Sequence, residues 1–195
     1  MCQLDRLIAR GNYDRRERPL YGDEAVTVNI SVYVLNMPRV SFTGHSGALT
    51  LEMYFRQSWI DPRLGFSEPK PSRFSNIKGG REVLEAIWVP DTFFVNELSS
   101  ESRYIAVWVE DGLVKWSQRV SLTVTQLSTG QGFSAFPFDT QQFSLEAESY
   151  AYTASDVRYS WKDEDSFNIN PEISFYDFQL LGDKEETVEV KQGKL

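Results

Sequence analysis

The most constraining feature of this sequence is a run of strict two-residue alternation near its amino terminus. Between Val26 and Val34, β-branched apolar residues occupy every second position, and polar residues or tyrosine fill the positions between them. Successive side chains of a strand point to opposite faces, so this pattern predicts a strand with one buried face. A second run of the same kind lies between Leu49 and Trp59. Such strands must pair into a sheet, and the apolar face of that sheet must be covered.

Further strands and turns are predicted along the rest of the chain. Glu110-Asp111-Gly112 separates apolar segments at 105–109 and 113–125, which is typical of a tight hairpin. Strands are also predicted over 142–148, 157–161 and 173–190, with an acidic loop over 162–170 and a proline- and glycine-rich loop over 61–80. Because helices and strands do not alternate, the sequence predicts an antiparallel β-sandwich.

The amino terminus carries the helical pattern of the chain. Leu4, Leu7 and Ile8 have the spacing of one helix face, and Gly11 follows as a stop signal. One short helix is therefore predicted over 3–10.

Size and composition limit the function classes. A β-sandwich of 195 residues is normally one domain, so we assign 1–195 to a single unit. The net charge of −8 argues against nucleic acid as a partner. One cysteine and one histidine allow no internal disulfide, no His/Cys metal cluster and no Cys-His nucleophile pair. No apolar run is long enough to cross a bilayer, and no cofactor, metal or catalytic site is predicted.

Two side chains on the second alternating run suggest ligand recognition. Leu51, Met53 and Phe55 share one face of that strand, whereas Tyr54 and Arg56 share the other. An arginine fork beside an aromatic wall suits a small carboxylate. The same pair is compatible with an ordinary surface arginine lying over a tyrosine. On the second arm of the predicted hairpin, Ser117 and Arg119 also share a face.

Several segments together resemble the pentameric ligand-gated ion channels, the Cys-loop receptors, most closely their GABA-, glycine- and glutamate-gated branch and the bacterial homologues. The matching segments, in the family's order, are Tyr54-Phe-Arg-Gln-Ser-Trp-Ile-Asp-Pro-Arg-Leu64, Trp88-Val-Pro-Asp91, the Asp111-Gly112 hairpin and Phe136 to Thr153. The resemblance implies an extracellular ligand-binding domain: a ten-strand immunoglobulin-like antiparallel β-sandwich with a short amino-terminal α-helix. It also implies assembly into a homo- or hetero-pentamer.

The resemblance further implies an agonist site between neighbouring subunits. It maps four residues onto the principal face, where the aromatics accept an ammonium group by cation-π attraction: Phe93, Glu148, Ser149 and Tyr150. It maps four others onto the complementary face: Tyr54, Arg56, Ser117 and Arg119. It assigns Phe136, Pro137, Phe138 and Asp139 to the loop that passes binding to the pore. A small amine or amino-acid agonist would satisfy both faces.

The resemblance places the protein on the extracellular or periplasmic side of a cell membrane, attached through a transmembrane domain that this chain does not contain. Gln126 and Phe143 stand where the family has its bridging cysteines, and the loop between them is longer than the family's. Residues 180–195 hold no aromatic and no cysteine pair, which disfavours nicotinic-type recognition.

Two other functions are compatible with parts of the sequence. A soluble pentameric binding protein similar to the acetylcholine-binding proteins would share the fold without a channel, although the phenylalanine-rich loop favours a membrane partner. A sandwich hydrolase could use paired carboxylates such as Glu146 and Glu148, or Asp163 and Glu164. Neighbouring acids on a solvated face are common, so the enzyme hypothesis is the least favoured.

Overall fold

The structure is a computed structural model, and it describes residue 8 and residues 13–43, 46–65, 76–126, 140–162, 166–173 and 180–182. Within these residues, Pro62–Leu64 forms a 3-10 helix and Arg81–Ala86 forms an α-helix, α1. The strands of the described part are β1 (Val26–Thr43), β2 (Ser46–Ile60), β3 (Asn76–Gly79), β4 (Thr92–Phe94), β5 (Glu97–Glu110), β6 (Leu113–Thr125), β7 (Ala147–Ser149), β8 (Val157–Trp161) and β9 (Phe167–Ile169).

The strands form two sheets. The larger sheet has the order β3-β5-β6-β2-β1-β8. β9 also pairs with β1, at residues of β1 that follow those paired with β8. The smaller sheet is the antiparallel pair β4-β7. The all-β sandwich is confirmed, with one difference from an antiparallel arrangement throughout: β8 and β9 run parallel to β1.

The predicted alternation of β1 and β2 is confirmed. On β1, the apolar residues between Val26 and Val34 are all buried. On β2, Leu51, Met53 and Phe55 are at most 5% exposed, whereas the residues between them reach the outer surface. The two strands pair in antiparallel register, with irregularities on β1 between Val34 and Arg39. That stretch contains Pro38, which cannot donate a ladder hydrogen bond.

The predicted hairpin joins β5 and β6. Asp111 has φ +49° and Gly112 has φ +84°, the positive values that a two-residue hairpin turn requires. A Cβ atom on Gly112 would lie 3.1 Å from the carbonyl oxygen of Asp61. Glycine is therefore required here both for its backbone conformation and for the close approach of the end of β2.

Aromatic contacts hold the smaller sheet, and the segment that leads into it, against the larger sheet. The rings of Phe55 on β2 and Phe94 on β4 meet edge to face with centroids 5.1 Å apart. Trp59 and Trp88 make a similar contact at 5.9 Å, and both are buried. Burying side chains of this size contributes about 2–3 kcal/mol each. These contacts place β4 and β7 on the inner side of β2.

Several predicted boundaries were wrong. The strand predicted over 142–148 is regular only at β7, although Phe143, Leu145 and Ala147 pack against the core as their alternation indicates. β9 lies inside the predicted acidic loop over 162–170, and α1 was not predicted.

Other predictions fall mostly outside the described residues. Of the amino-terminal helix, only Ile8 is described; it is helical and packs against the core. Of the strand predicted over 173–190, residue 173 and residues 180–182 are described, and they are not in a strand. In the described ranges, no helix has the length and apolarity needed to span a membrane.

Candidate ligand-binding site

The residues predicted for the principal face come together on the smaller sheet. Phe93 on β4 pairs directly with Glu148 on β7. Just beyond β7, the ring of Tyr150 meets that of Phe93 edge to face, with centroids 5.7 Å apart. Tyr150 is 82% exposed and Glu148 is also exposed. Two aromatic rings and one carboxylate therefore share a solvent-facing surface, which is suitable for an ammonium group.

Asp91 holds the turn that presents Tyr150. One carboxylate oxygen of Asp91 accepts a hydrogen bond from the Ser149 hydroxyl, and the other accepts from the Ala151 backbone N–H at 2.6 Å. The Ser149 Oγ in turn accepts from the Tyr152 N–H at 3.0 Å. Hydrogen bonds to a charged carboxylate are stronger than neutral ones. The Ser149 hydroxyl is thus engaged within the turn, and a direct contact of Ser149 with ligand remains a prediction.

The side chains of Thr92, Gln57 and Tyr159 form a hydrogen-bonded cluster next to this turn. The Thr92 hydroxyl donates to the side-chain carbonyl of Gln57 and shares a 2.9 Å hydrogen bond with the Tyr159 hydroxyl. Burial raises the pKa of Tyr159 to about 12, so its hydroxyl stays protonated at neutral pH. Gln57 is the polar exception on the buried face of β2, and its contact with Thr92 explains its burial.

The residues predicted for the complementary face form a block on two neighbouring strands. In the β2-β6 register, Tyr54 lies opposite Arg119 and Arg56 lies opposite Ser117. All four belong to the face that points away from the sandwich core. The guanidinium of Arg56 lies over the Tyr54 ring, 5.2 Å from its centroid. Regular strand geometry alone is enough to bring these four side chains together.

Arg119 differs from Arg56 in having an acidic partner. Its Nη2 lies 2.9 Å from Oε2 of Glu52, which precedes Tyr54 by two residues on the same face of β2. Among the described residues, Arg56 makes no ion pair. Sequence reasoning missed both Glu52 and Asp91 as site residues. The two-residue spacing of Glu52 and Tyr54 predicts that both side chains lie on the same face of β2. No local pattern predicts the role of Asp91, because its partner Ser149 lies 58 residues away in the chain.

The two predicted faces lie on opposite sides of β2 within one copy of the chain. Gln57 points inward and contacts Thr92, so the β4-β7 sheet covers the inner side of β2. Tyr54 and Arg56, which alternate with Phe55 and Gln57, point outward. One copy therefore does not combine its own Tyr150 with its own Arg56.

The predicted coupling loop residues Phe136, Pro137, Phe138 and Asp139 lie outside the described residues, but the base of their loop is described. Asn96, two residues after β4, is buried and donates its amide hydrogens to the carbonyl oxygens of Thr125 at 3.0 Å and of Ser144 at 2.8 Å. The backbone carbonyl of Asn96 accepts from the Thr125 N–H at 2.9 Å. Asn96 therefore connects both ends of the loop to the strand that carries Phe93.

Gln126 and Phe143, the two positions where the resemblance places cysteines, both lie against Gly47 at this base. A Cβ atom on Gly47 would lie 3.0 Å from the Phe143 ring and 3.1 Å from the Gln126 side chain. Gln126 also donates to the side chain of Gln141 at 2.8 Å. Hydrogen bonds and packing hold the loop ends together where no disulfide is possible.

The chemistry of the site is that of binding. Exposed aromatic rings, a carboxylate and guanidinium groups can hold a small charged ligand by cation-π contacts and charge-assisted hydrogen bonds. Within the part of the chain that the structure describes, no group of three acidic, histidine or cysteine side chains is arranged to hold a metal ion.

Comparisons with known proteins identify relatives of the whole chain. The family profile described as "Neurotransmitter-gated ion-channel ligand binding domain" matches residues 3–194. The chain is 35% identical over 187 residues to gamma-aminobutyric acid receptor subunit rho-1 of Homo sapiens, covering 92% of this chain and 37% of the relative. It is 31% identical over 186 residues to the theta subunit of Mus musculus, covering 92% and 27%. The beta-4 subunit of Gallus gallus is 31% identical over 177 residues, covering 87% and 34%. The chain spans about a third of the length of these relatives.

Proposed function

The chain belongs to the neurotransmitter-gated ion-channel ligand binding domain family, and from this premise we propose that it binds a small amino-acid agonist between neighbouring copies in a pentameric channel. The observation that carries the proposal is the placement of two clusters of side chains on opposite sides of β2. We call Phe93 and Tyr150 the aromatic group, and the block of Tyr54, Arg56, Ser117 and Arg119 the guanidinium group. In a ring, each copy presents one group to each neighbour, so both groups are used at every interface.

The two groups suggest the chemistry of the agonist. The half-buried ring of Phe93 and the exposed ring of Tyr150 lie beside Glu148, a combination that attracts an ammonium group. On the neighbouring copy, Arg56 offers a guanidinium fork to a carboxylate, with the Tyr54 ring as its apolar wall. A zwitterion with separated charges fits both. The relatives are named as gamma-aminobutyric acid receptor subunits, so γ-aminobutyric acid is the first agonist to test.

We also propose that binding reaches the pore through the loop that carries Phe136, Pro137, Phe138 and Asp139. Support comes from Asn96, which connects the base of that loop to the strand of the aromatic group. An agonist that binds more tightly to the open state would shift the channel towards opening. The domain would lie on the extracellular or periplasmic side of the membrane, carried by a transmembrane domain. The relatives are receptor subunits, which favours a channel over a soluble binding protein or an enzyme.

The test is the substitution Arg56→Ala in the full-length protein. Loss of a charge-assisted hydrogen bond to the carboxylate should cost about 2 kcal/mol, or roughly 30-fold in γ-aminobutyric acid affinity. Equilibrium binding measures the change, and Arg16→Ala is the matched control because Arg16 is an exposed arginine on the amino-terminal segment. Unchanged affinity in Arg56→Ala would contradict the proposed role of this residue.

A further inference from the structure

The outer face of β2 and β6 carries two arginines in different electrostatic surroundings. In the strand register, Arg119 lies opposite Tyr54 and is therefore a diagonal neighbour of both Glu52 and Arg56. Diagonal positions of paired strands are within reach of long side chains. Arg119 turns to Glu52, with which it forms a 2.9 Å ion pair, and away from the like charge of Arg56.

This pairing sets how much positive charge the face offers to a ligand. With Glu52 in place, the charges of Arg119 and Glu52 cancel, and Arg56 supplies the remaining positive charge of the block. An open depression of about 470 Å³ next to the pair is lined by Glu52, Tyr54, Arg119 and Glu172, among others. Glu172 adds a second carboxylate to this depression. A ligand carboxylate entering beside Arg119 would therefore meet a guanidinium that is already paired with Glu52 and a second carboxylate, that of Glu172.

We propose that Glu52 is a specificity-determining residue: by holding Arg119, it limits the site to agonists with one carboxylate and disfavours dicarboxylic amino acids. The inference rests on the proposed function, because it concerns the same interface. Removal of the Glu52 charge would leave two neighbouring guanidinium groups, an arrangement that suits two carboxylates of one ligand. Glu52 acts through Arg119, and it need not contact the ligand itself.

Two ligands of matched structure can test this proposal. Glutamate is γ-aminobutyric acid with one additional carboxylate on the carbon that bears the amino group. The ratio of the affinities for these two ligands therefore reports how the site treats a second carboxylate. It should be measured by equilibrium binding on the full-length protein and on its Glu52→Gln variant, which keeps the side-chain size and removes the charge.

We expect Glu52→Gln to shift the ratio towards glutamate by about tenfold or more, since a tenfold change corresponds to the strength of one modest polar contact. The double variant Glu52→Gln/Arg119→Ala should lose this shift. Asp14→Asn is the matched control, because Asp14 forms an exposed ion pair with Arg16 on the amino-terminal segment, away from the outer face of β2 and β6, and its ratio should equal that of the parent.

The outcomes separate this inference from the proposed function. A parent protein that binds γ-aminobutyric acid, with an unchanged ratio in Glu52→Gln, would overturn the role of Glu52 alone. A shift that persists in the double variant would overturn it as well, because the effect would not pass through Arg119. A parent protein that binds neither ligand would instead contradict the proposed amino-acid agonist.

Discussion

The aromatic group and the guanidinium group of the proposed pocket are built in different ways. Tyr54, Arg56, Ser117 and Arg119 lie on strands of 15 and 13 residues, and the pairing register places them. Phe93 and Tyr150 lie on or beside strands of three residues, and specific side chains such as Asp91 hold them in place. Long strands position side chains by repetition, whereas a short turn depends on individual hydrogen bonds. The aromatic group should therefore be the more fragile of the two.

The largest expected effect is that of Asp91→Ala. The substitution removes the acceptor for the Ser149 hydroxyl and for the Ala151 N–H, so the free energy of unfolding should fall by about 3 kcal/mol. The comparison variant is Glu52→Ala, which breaks a half-exposed ion pair in the guanidinium group and should cost less than about 1 kcal/mol. Urea denaturation of both variants measures the difference. Equal decreases in the free energy of unfolding would contradict the expected difference in stability between the two groups.

A smaller effect is expected at Asn96, the residue that connects the segment after β4 to the base of the proposed coupling loop. Asn96→Ala loses two hydrogen bonds to backbone carbonyls and should lower the free energy of unfolding by about 2 kcal/mol. Hydrogen exchange at the backbone amides of Thr125 and Gln126 should become faster, because the loop base opens more often. The control is Gln142→Ala, an exposed amide in the same region. Exchange that is equally fast in both variants would exclude Asn96 as the main connection.

The smallest effect at neutral pH is expected for Tyr159, which lies below the aromatic group and whose ionisation affects stability only at alkaline pH. Its pKa is raised from 10.0 to about 12 by burial, so the folded state holds this proton more tightly than the unfolded state does. The contribution to stability is complete below about pH 10 and is lost as the pH rises towards about 12. Burial also raises the pKa of Tyr13, which acts in the same direction. Tyr159→Phe should make the free energy of unfolding decrease less at alkaline pH than it does in the parent. The part of the decrease that is due to Tyr13 should remain. An identical fall in variant and parent would contradict this assignment.

The same contrast explains how much the sequence could predict. The inward and outward faces of β1 and β2 follow from alternation, and the turn at Asp111 and Gly112 follows from local backbone preference. The block of Tyr54, Arg56, Ser117 and Arg119 needs only two such strands in the correct register. These features were predictable because each depends on a local pattern.

The features that sequence reasoning missed depend on distant contacts. Alternation does not reveal which strands become neighbours, so the parallel pairing of β8 and β9 with β1 was not predicted. The three residues of β9 are too few to show a period, and α1 has only six residues after two glycines. The role of Asp91 depends on a turn far along the chain. The resemblance to a known family supplied the aromatic group, which no local pattern would have assembled.

The central claim, that each agonist site is shared by two copies, can be tested by mixing two defective subunits. Tyr150→Ala removes the exposed ring of the aromatic group, and Arg56→Ala removes the arginine of the guanidinium group that makes no ion pair among the described residues. Each variant alone should therefore bind γ-aminobutyric acid weakly or not at all. Co-expressed in equal amounts, the two variants should restore about a quarter of the parent's high-affinity sites, because random assembly places an intact aromatic group beside an intact guanidinium group at that frequency. If co-expression restores no high-affinity sites while both variants fold and assemble together, the shared site is contradicted.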